Sequence, residues 1–293
     1  MSKAALEMTI DTDSFNAIAE LAYRESGLQL AAEKTSMIQS RLRHRLRALG
    51  LQDFANYSAF VCSDDGRDER RHMISALTTN VSHFFREKHH FDVLKKQFET
   101  VLLPKLKAGG RVRIWSAGCS NGQEALSIAM VLLEVAPDVA KLDLRILATD
   151  IDPEVVNFAK QSSYHERLVG GIPPELLHKY FQCVKQNDEK IYQAGGQLLK
   201  IISFRELNLL AKWPMQQKMD VIFCRNVVIY FDLDTQNRLW PRFRDVLSPN
   251  GILFLGHSER ISDPATFGFI SDGPTTYLPS TASDGSSPLR KEN

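Results

Sequence analysis

Apolar residues in the first ninety positions recur at helical spacing. Phe15, Ile18, Ala19 and Ala22 share one face, and Ile38, Leu42, Leu46 and Leu49 share another, as in helices that bury a single stripe. The second of these predicted helices spans about Ser36 to Leu49, and Gly50 follows where a left-handed cap is wanted. A further helix is expected from Phe54 to Cys62, and the polar run Ser63 to Arg71 reads as a loop. Ile74 to Leu77 then begins another apolar element. It leads into Thr78-Thr79-Asn80-Val81-Ser82-His83-Phe84-Phe85-Arg86-Glu87, a plausible linker. The pattern predicts a small all-α domain over residues 1–78 and a linker over 79–92.

From about residue 89 short apolar runs alternate with helical stretches, the signature of a doubly wound α/β sheet. The expected strands are Val112 to Ala117, Leu144 to Thr149, Lys200 to Phe204, Val221 to Cys224 and Ile252 to Gly256. Between them, Asp152 is placed to cap a helix opened by Pro153, and Pro173 and Pro174 open another. Phe267 to Ser271 and Thr275 to Leu278 flank Asp272-Gly273-Pro274, which predicts an antiparallel hairpin closing the sheet. This second domain is expected to run from 93 to 279. The tail, 280–293, is rich in Ser, Pro, Gly and charge and is expected to be disordered.

Composition narrows the function. The 293 residues are 43% hydrophobic, enough for a full core and a second small domain. Lysine and arginine number 36 against 35 acidic residues, so there is no global electrostatic case for nucleic acid or membrane binding. Cys62, Cys119, Cys183 and Cys224 are far apart and form no CxxC pair, which argues against a zinc ribbon and a disulfide framework. No signal peptide and no membrane span are expected, so the chain is read as cytoplasmic, without metal, and as a monomer.

The candidate chemistry lies at the strand ends. Val112 to Ala117 runs into Gly118-Cys119-Ser120-Asn121-Gly122-Gln123-Glu124 and an apolar helix. In an open α/β sheet this loop lies where ligands bind. Its spacing is not the GxGxxG of dinucleotide enzymes, and a nucleoside carrying an amino acid needs no phosphate cradle. Asp150, ending the second strand, is positioned to accept hydrogen bonds from both hydroxyls of an adenosine ribose, whereas Asp152 is better explained as a helix cap. Asn208 and Leu209 are a candidate adenine edge. After the fourth strand, Arg225-Asn226 interrupts an apolar run at the edge facing the pocket.

Taken together, Thr78-Thr79-Asn80 with Phe84-Phe85-Arg86-Glu87, Trp115-Ser116-Ala117-Gly118-Cys119-Ser120, Thr149-Asp150-Ile151-Asp152, Leu207-Asn208-Leu209-Leu210, Phe223-Cys224-Arg225-Asn226-Val227 and Gly256-His257-Ser258-Glu259 resemble the CheR family of chemotaxis receptor methyltransferases. The likeness covers about residues 12 to 279. It implies a class I S-adenosylmethionine-dependent methyltransferase, a Rossmann-like doubly wound sheet with an antiparallel C-terminal hairpin, preceded by a small all-α domain. A small β-rich insertion would fall at Gln186 to Leu199, narrowly near 186–199. The implied reaction esterifies glutamate side chains of methyl-accepting chemotaxis receptors in sensory adaptation and leaves S-adenosyl-L-homocysteine.

The resemblance also implies roles. Asn80, Ser82 and Arg86 would contact the cosubstrate or the transfer site, and Glu124 and Asp150 would hold its amino-acid and ribose portions. Asn208, Leu209, Arg225 and Asn226 would line the rest, and Tyr230 would sit beside the transferred methyl. Arg86 and Tyr230 are therefore the expected catalytic pair. The chain departs from the family pattern at Ser82, where threonine is usual, and at Gln123, Ala125 and Leu126, where Glu, Pro and Tyr are frequent.

Arg41, Arg43, His44, Arg45 and Arg47 occupy the non-apolar circumference of the predicted Ser36 to Leu49 helix. Receptor methylation segments are helices presenting glutamates, so Arg41, Arg45 and Arg47 are the expected substrate-binding residues. Two rivals remain open. A dehydrogenase shares the sheet and the acidic residue but needs the missing glycine fingerprint. A noncatalytic adaptor would bind S-adenosylmethionine or its product as a ligand.

Overall fold

In the computed structural model, which describes residues 9–186 and 189–280, the N-terminal apolar stripes meet in one bundle built from α1 (Thr12–Ser26), α2 (Thr35–Ala48), α3 (Phe54–Cys62) and α4 (Arg67–Leu77). Asp11 caps α1 through the Ser14 N–H at 2.9 Å, and Asp53 caps α3 through the Asn56 N–H at 2.7 Å, each satisfying a donor that the first helical turn leaves unpaired. Phe15, Ile18, Leu21, Ile38, Leu42, Leu46, Tyr57 and Met73 are buried together. Gly50 takes φ +69°, the left-handed conformation its position requires.

The stretch Ser63 to Arg71 is not a loop. A short 3₁₀ turn at Asp64–Gly66 leads directly into α4 at Arg67. Its polarity conceals the helix because the buried contact is ionic: Glu69 accepts Nε–H and Nη2–H bonds from Arg45 at 2.9 and 2.6 Å and the Tyr57 hydroxyl at 3.0 Å. Asp68 and Glu69 also place negative charge against the positive end of the helix dipole.

The second domain begins with α5 (Lys88–Gln97), a π-helical turn at Phe98–Leu102 and α6 (Leu103–Lys107). It then alternates through β1 (Val112–Ala117), α7 (Gln123–Val135), β2 (Leu144–Asp150), α8 (Pro153–Gln161), β3 (Ser163–His165), α9 (Pro174–Tyr180), β4 (Phe181–Gln186), β5 (Glu189–Ala194), α10 (Gly196–Leu199), β6 (Ile202–Glu206), β7 (Met219–Cys224), α11 (Leu233–Val246), β8 (Leu247–Leu255), β9 (Phe269–Ser271) and β10 (Thr276–Pro279). The main sheet has the order β6-β2-β1-β7-β8-β10-β9. Its first five strands are parallel, and β10 and β9 add the antiparallel hairpin that the turn signals predicted. The chain reverses direction across the sheet between β1 and β7, which opens a crevice at their carboxyl ends.

Register sets what meets there. Ala117 lies beside Thr149, and the Thr149 carbonyl accepts both the Gly118 and Cys119 N–H groups at 2.8 Å. The first glycine loop and the acidic end of β2 are thereby held level. Trp115, fully buried, fixes the same level from below by donating its indole N–H to the Thr149 hydroxyl at 2.9 Å.

The small sheet, ordered β3-β5-β4, starts at Ser163 rather than at Gln186. Its strands are short and largely exposed, so they lack the apolar runs that marked the main sheet. Residues 281–293, most of the expected tail, lie outside the described residues, and no helix among those described is long and apolar enough to cross a membrane.

Candidate functional site

The crevice is a cleft open on one side, at the sheet edge where open α/β folds bind ligands. Its wall is shared by both domains. Ser26 and Leu28 come from the end of α1, and Thr78 to His83 and Arg86 come from the linker. Phe91 comes from α5, and the rest comes from the segments that follow β1, β2, β6 and β7. Asn80, Ser82, Arg86, Glu124, Asp150, Asn208, Leu209, Arg225, Asn226 and Tyr230, all expected from sequence, line this one space.

The loop after β1 exposes backbone to the cleft. Gly118 has φ +88°, and a Cβ there would lie 2.2 Å from the Val227 Cγ2, so no other residue fits. Ser120, with φ +48°, points its N–H at the Asp150 Oδ2 (2.7 Å), and the Asp152 N–H reaches Asp150 Oδ1 at 3.1 Å. Asp150 is nonetheless buried, and burial raises its pKa to about 6 despite these two donors. A carboxylate so placed is short of donors and gains from hydroxyls that supply them.

On the β7 side of the cleft, Glu124 accepts the Ser116 hydroxyl at 2.6 Å and lies 3.2 Å from Arg225 Nη1. Burial pushes its acid upward, with Arg225 and Ser116 opposing. Arg225 is itself buried and lies beside the rings of Phe91 and Phe223, 5.6 and 5.9 Å from their centroids. It also donates to the Arg86 carbonyl and sits 3.4 Å from Glu87. Burial alone would raise Glu87, but Arg225 and the His257 N–H outweigh it and hold the carboxyl below its ordinary range. Arg225 is thus committed to holding Glu124, Glu87 and the linker backbone in place. Arg86 differs: among the described residues its guanidinium hydrogen-bonds only the Val81 carbonyl, at 3.1 Å, with its Nε 4.0 Å from Glu87, and it remains partly exposed at the cleft wall.

Two expected contacts change character. Asn208 lines the cleft, but its amide donates to the Glu25 carbonyl at 2.7 Å and accepts the Leu210 N–H at 2.8 Å. Its side chain therefore fastens this loop to α1, which leaves one amide N–H and one lone pair of Oδ1 for a ligand. The Leu209 carbonyl is held from outside by the Trp213 indole N–H (2.9 Å) and by Arg242 (2.6 Å), which stacks on Trp213. The basic residues of α2 do not reach the cleft. Arg45 is consumed by Glu69, and Arg41 donates to the Leu77 and Thr78 carbonyls at 2.7 and 2.8 Å and to the Thr79 hydroxyl at 3.0 Å. Their expected outward orientation is corrected: both have partners inside the molecule. Arg47 stays exposed and without an ion pair among the described residues.

Sequence reading missed two organising carboxylates. Glu259 accepts backbone N–H bonds from Gly256, Asn226, Val227 and Ile229 at 2.6, 2.8, 2.7 and 3.2 Å. It thereby holds the turn that carries Asn226 at φ +58° and delivers Tyr230 to the cleft. Its place in the Gly256-His257-Ser258-Glu259 segment was the available signal. Asp152 does cap α8 through the Glu154 N–H at 2.9 Å, but it also accepts the Ser75 hydroxyl at 2.7 Å and the Asn80 amide at 2.8 Å.

The sequence matches a known family over most of its length. Residues 13–78 match the family model described as the CheR methyltransferase all-alpha domain, and residues 80–274 match that of the CheR methyltransferase SAM binding domain. A probable chemotaxis protein methyltransferase of Rhizobium etli is 44% identical over 257 residues, covering 88% of this chain and 96% of its own. The chemotaxis protein methyltransferase of Escherichia coli is 38% identical, covering 85% and 84%, and that of Borreliella burgdorferi is 35% identical, covering 94% and 97%.

Proposed function

The chain belongs to the CheR family and is an S-adenosylmethionine-dependent protein-glutamate O-methyltransferase of chemotaxis, and from that premise we propose how its cleft performs the transfer and meets its receptor. The observation that carries the reading is Asp150, a buried carboxyl raised to about 6 at the carboxyl end of β2. There it receives the two ribose hydroxyls. Glu124, compensated on one side by Arg225, takes the ammonium of the amino-acid portion. The backbone around Leu209, braced by Trp213 and Arg242, borders the adenine.

The bound sulfonium supplies an electrophilic methyl carbon. The incoming glutamate, with a reference pKa of about 4.3, is already ionised at neutral pH, so no residue of the cleft need act as a base. Arg86 orients that carboxylate through a guanidinium with spare donors. A contact to the non-attacking oxygen aligns the group without removing the lone pair that reacts. Tyr230, on the turn that Glu259 holds, fixes the opposite side, and Ser82 keeps a hydroxyl at the linker wall. Alignment of this kind is worth up to about 7–11 kcal/mol of the barrier.

On the receptor side, Arg47 and His44 form the exposed basic positions of α2. They attract the acidic methylation helix, with an attraction that salt screens. The test is incubation with methyl-tritiated cosubstrate and receptor membranes. Transfer of label that base releases as volatile methanol supports the ester; label that resists base, or no transfer, overturns the reading.

A further inference from the structure

Arg41 has an arrangement that a solvent-facing receptor contact does not need. It lies on α2, yet its guanidinium grips the chain where the helical domain ends, with Nη1 on the Leu77 and Thr78 carbonyls and Nη2 on the Thr79 hydroxyl. Thr78 and Thr79 line the cleft. From the opposite side, Asp152 of the catalytic domain takes the Ser75 hydroxyl and the Asn80 amide, and the Ser120 hydroxyl donates to the Asn80 carbonyl at 3.2 Å. A short extended segment is therefore clamped by an arginine from one domain and an aspartate from the other, and its side chains and backbone form one wall of the cosubstrate site.

We propose that Arg41 is a positioning residue of the cosubstrate cleft: it acts through Thr78, Thr79 and Asn80 to set affinity for the adenosyl ligand, and it is not a receptor contact. The inference rests on the cleft being the adenosyl site. The physical reason is the number and direction of the donors. The end of α4 leaves the carbonyls of its last turn without helical partners, and a planar guanidinium satisfies two of them and the following hydroxyl at once. Lysine, a single point charge with rotatable donors, cannot make that fork. Without it the Thr79 hydroxyl and the Asn80 backbone lose their support from the helical side, and the cleft wall samples positions that do not bind.

The experiment uses the full chain and titrates S-adenosylhomocysteine by calorimetry against Arg41→Met, Arg41→Lys and Arg45→Met, alongside initial rates with receptor membranes. Arg41→Met is expected to weaken ligand binding about tenfold, the scale on which packed networks modulate a distant site, with the Michaelis constant for receptor changed less than twofold. Arg41→Lys is expected to recover part of the loss. Arg45→Met is the structural control, because it breaks the Glu69 pair in the same domain without touching the linker. It should lower the melting temperature and leave ligand affinity unchanged.

Unchanged affinity in Arg41→Met with a raised receptor Michaelis constant overturns the proposal. So does equal weakening in Arg45→Met, which makes the effect one of general destabilisation. If Arg41→Met does not fold, the Arg41→Lys and Thr79→Val variants decide: each should weaken binding, and wild-type affinity in both overturns the proposal. Failure of the wild-type chain to bind S-adenosylhomocysteine would instead remove the cleft reading itself.

Discussion

Replacing Asp150 with asparagine should make the protein more stable and nearly useless. The carboxyl has an ordinary pKa of 3.8 and is raised to about 6, chiefly by burial. A shift of about two units costs about 3 kcal/mol of folding free energy once the group is ionised in the folded state. Because the folded pKa is the higher one, this penalty is absent below the unfolded value, grows as pH rises, and is complete above about 6. Asparagine removes it but offers one acceptor to the N–H groups of Ser120 and Asp152, a loss of about 1–1.5 kcal/mol. The net gain is about 1–2 kcal/mol near neutrality, or a few degrees in melting temperature, and it nearly vanishes near pH 5, where the penalty has fallen to about 1.5 kcal/mol. Ligand binding moves oppositely: two hydrogen bonds to an anion, each worth about 1.5–3 kcal/mol, become at best one neutral bond, so affinity for S-adenosylhomocysteine should fall about 100-fold or more. In the wild type that affinity should also drop below a pH of about 6, as Asp150 takes a proton, and in Asp150→Asn this component of the pH dependence should be absent. Thermal melts and calorimetry over this range test all of it. Binding by Asp150→Asn within threefold of wild type would refute the assignment.

Tyr230→Phe and Arg86→Met should each lower turnover by about 100-fold, the cost of misplacing reacting atoms by about 1 Å, with S-adenosylhomocysteine affinity within twofold; calorimetry showing equal loss of binding removes the residue from the transfer step. Arg225→Met should destabilise the fold by about 3–5 kcal/mol in urea titrations, because it strands Glu124 and Glu87 without their buried counter-charge. A cost under about 1 kcal/mol would mean the cluster is not held by charge. Arg47→Glu should raise the receptor Michaelis constant and flatten its dependence on salt, with cosubstrate affinity untouched, and unchanged receptor kinetics would count against the docking face.

The parts legible in the sequence are those whose physics is local. Val112 to Ala117 and Phe54 to Cys62 are bounded by their own apolar residues and were placed residue for residue. Asp150 and Arg225 stand out because charge at the end of a buried strand needs a reason. What the sequence hid depends on partners far along the chain. A helical wheel sends Arg41 and Arg45 to solvent by default, but Glu69 and the carbonyls of Leu77 and Thr78 turn them inward. Those acceptors exist only once α2 and α4 pack. Glu69 likewise disguised α4 as a loop. Asp152 satisfied a helix-cap rule completely and so concealed its second task of holding Asn80. Ser163 to His165, three residues long, carries too little periodicity to be seen before its partner strand is in place.

The central claim is that one cleft at the rim of the parallel strands holds the methyl donor with its reactive end toward the linker arginine and the Tyr230 turn. A crystal structure with S-adenosylhomocysteine tests it most directly. Both ribose hydroxyls are expected within hydrogen-bond reach of Asp150, the ammonium near Glu124, and the sulfur facing Arg86 and Tyr230. A ligand seated elsewhere, or one lying in the cleft with its ribose away from Asp150, would contradict it.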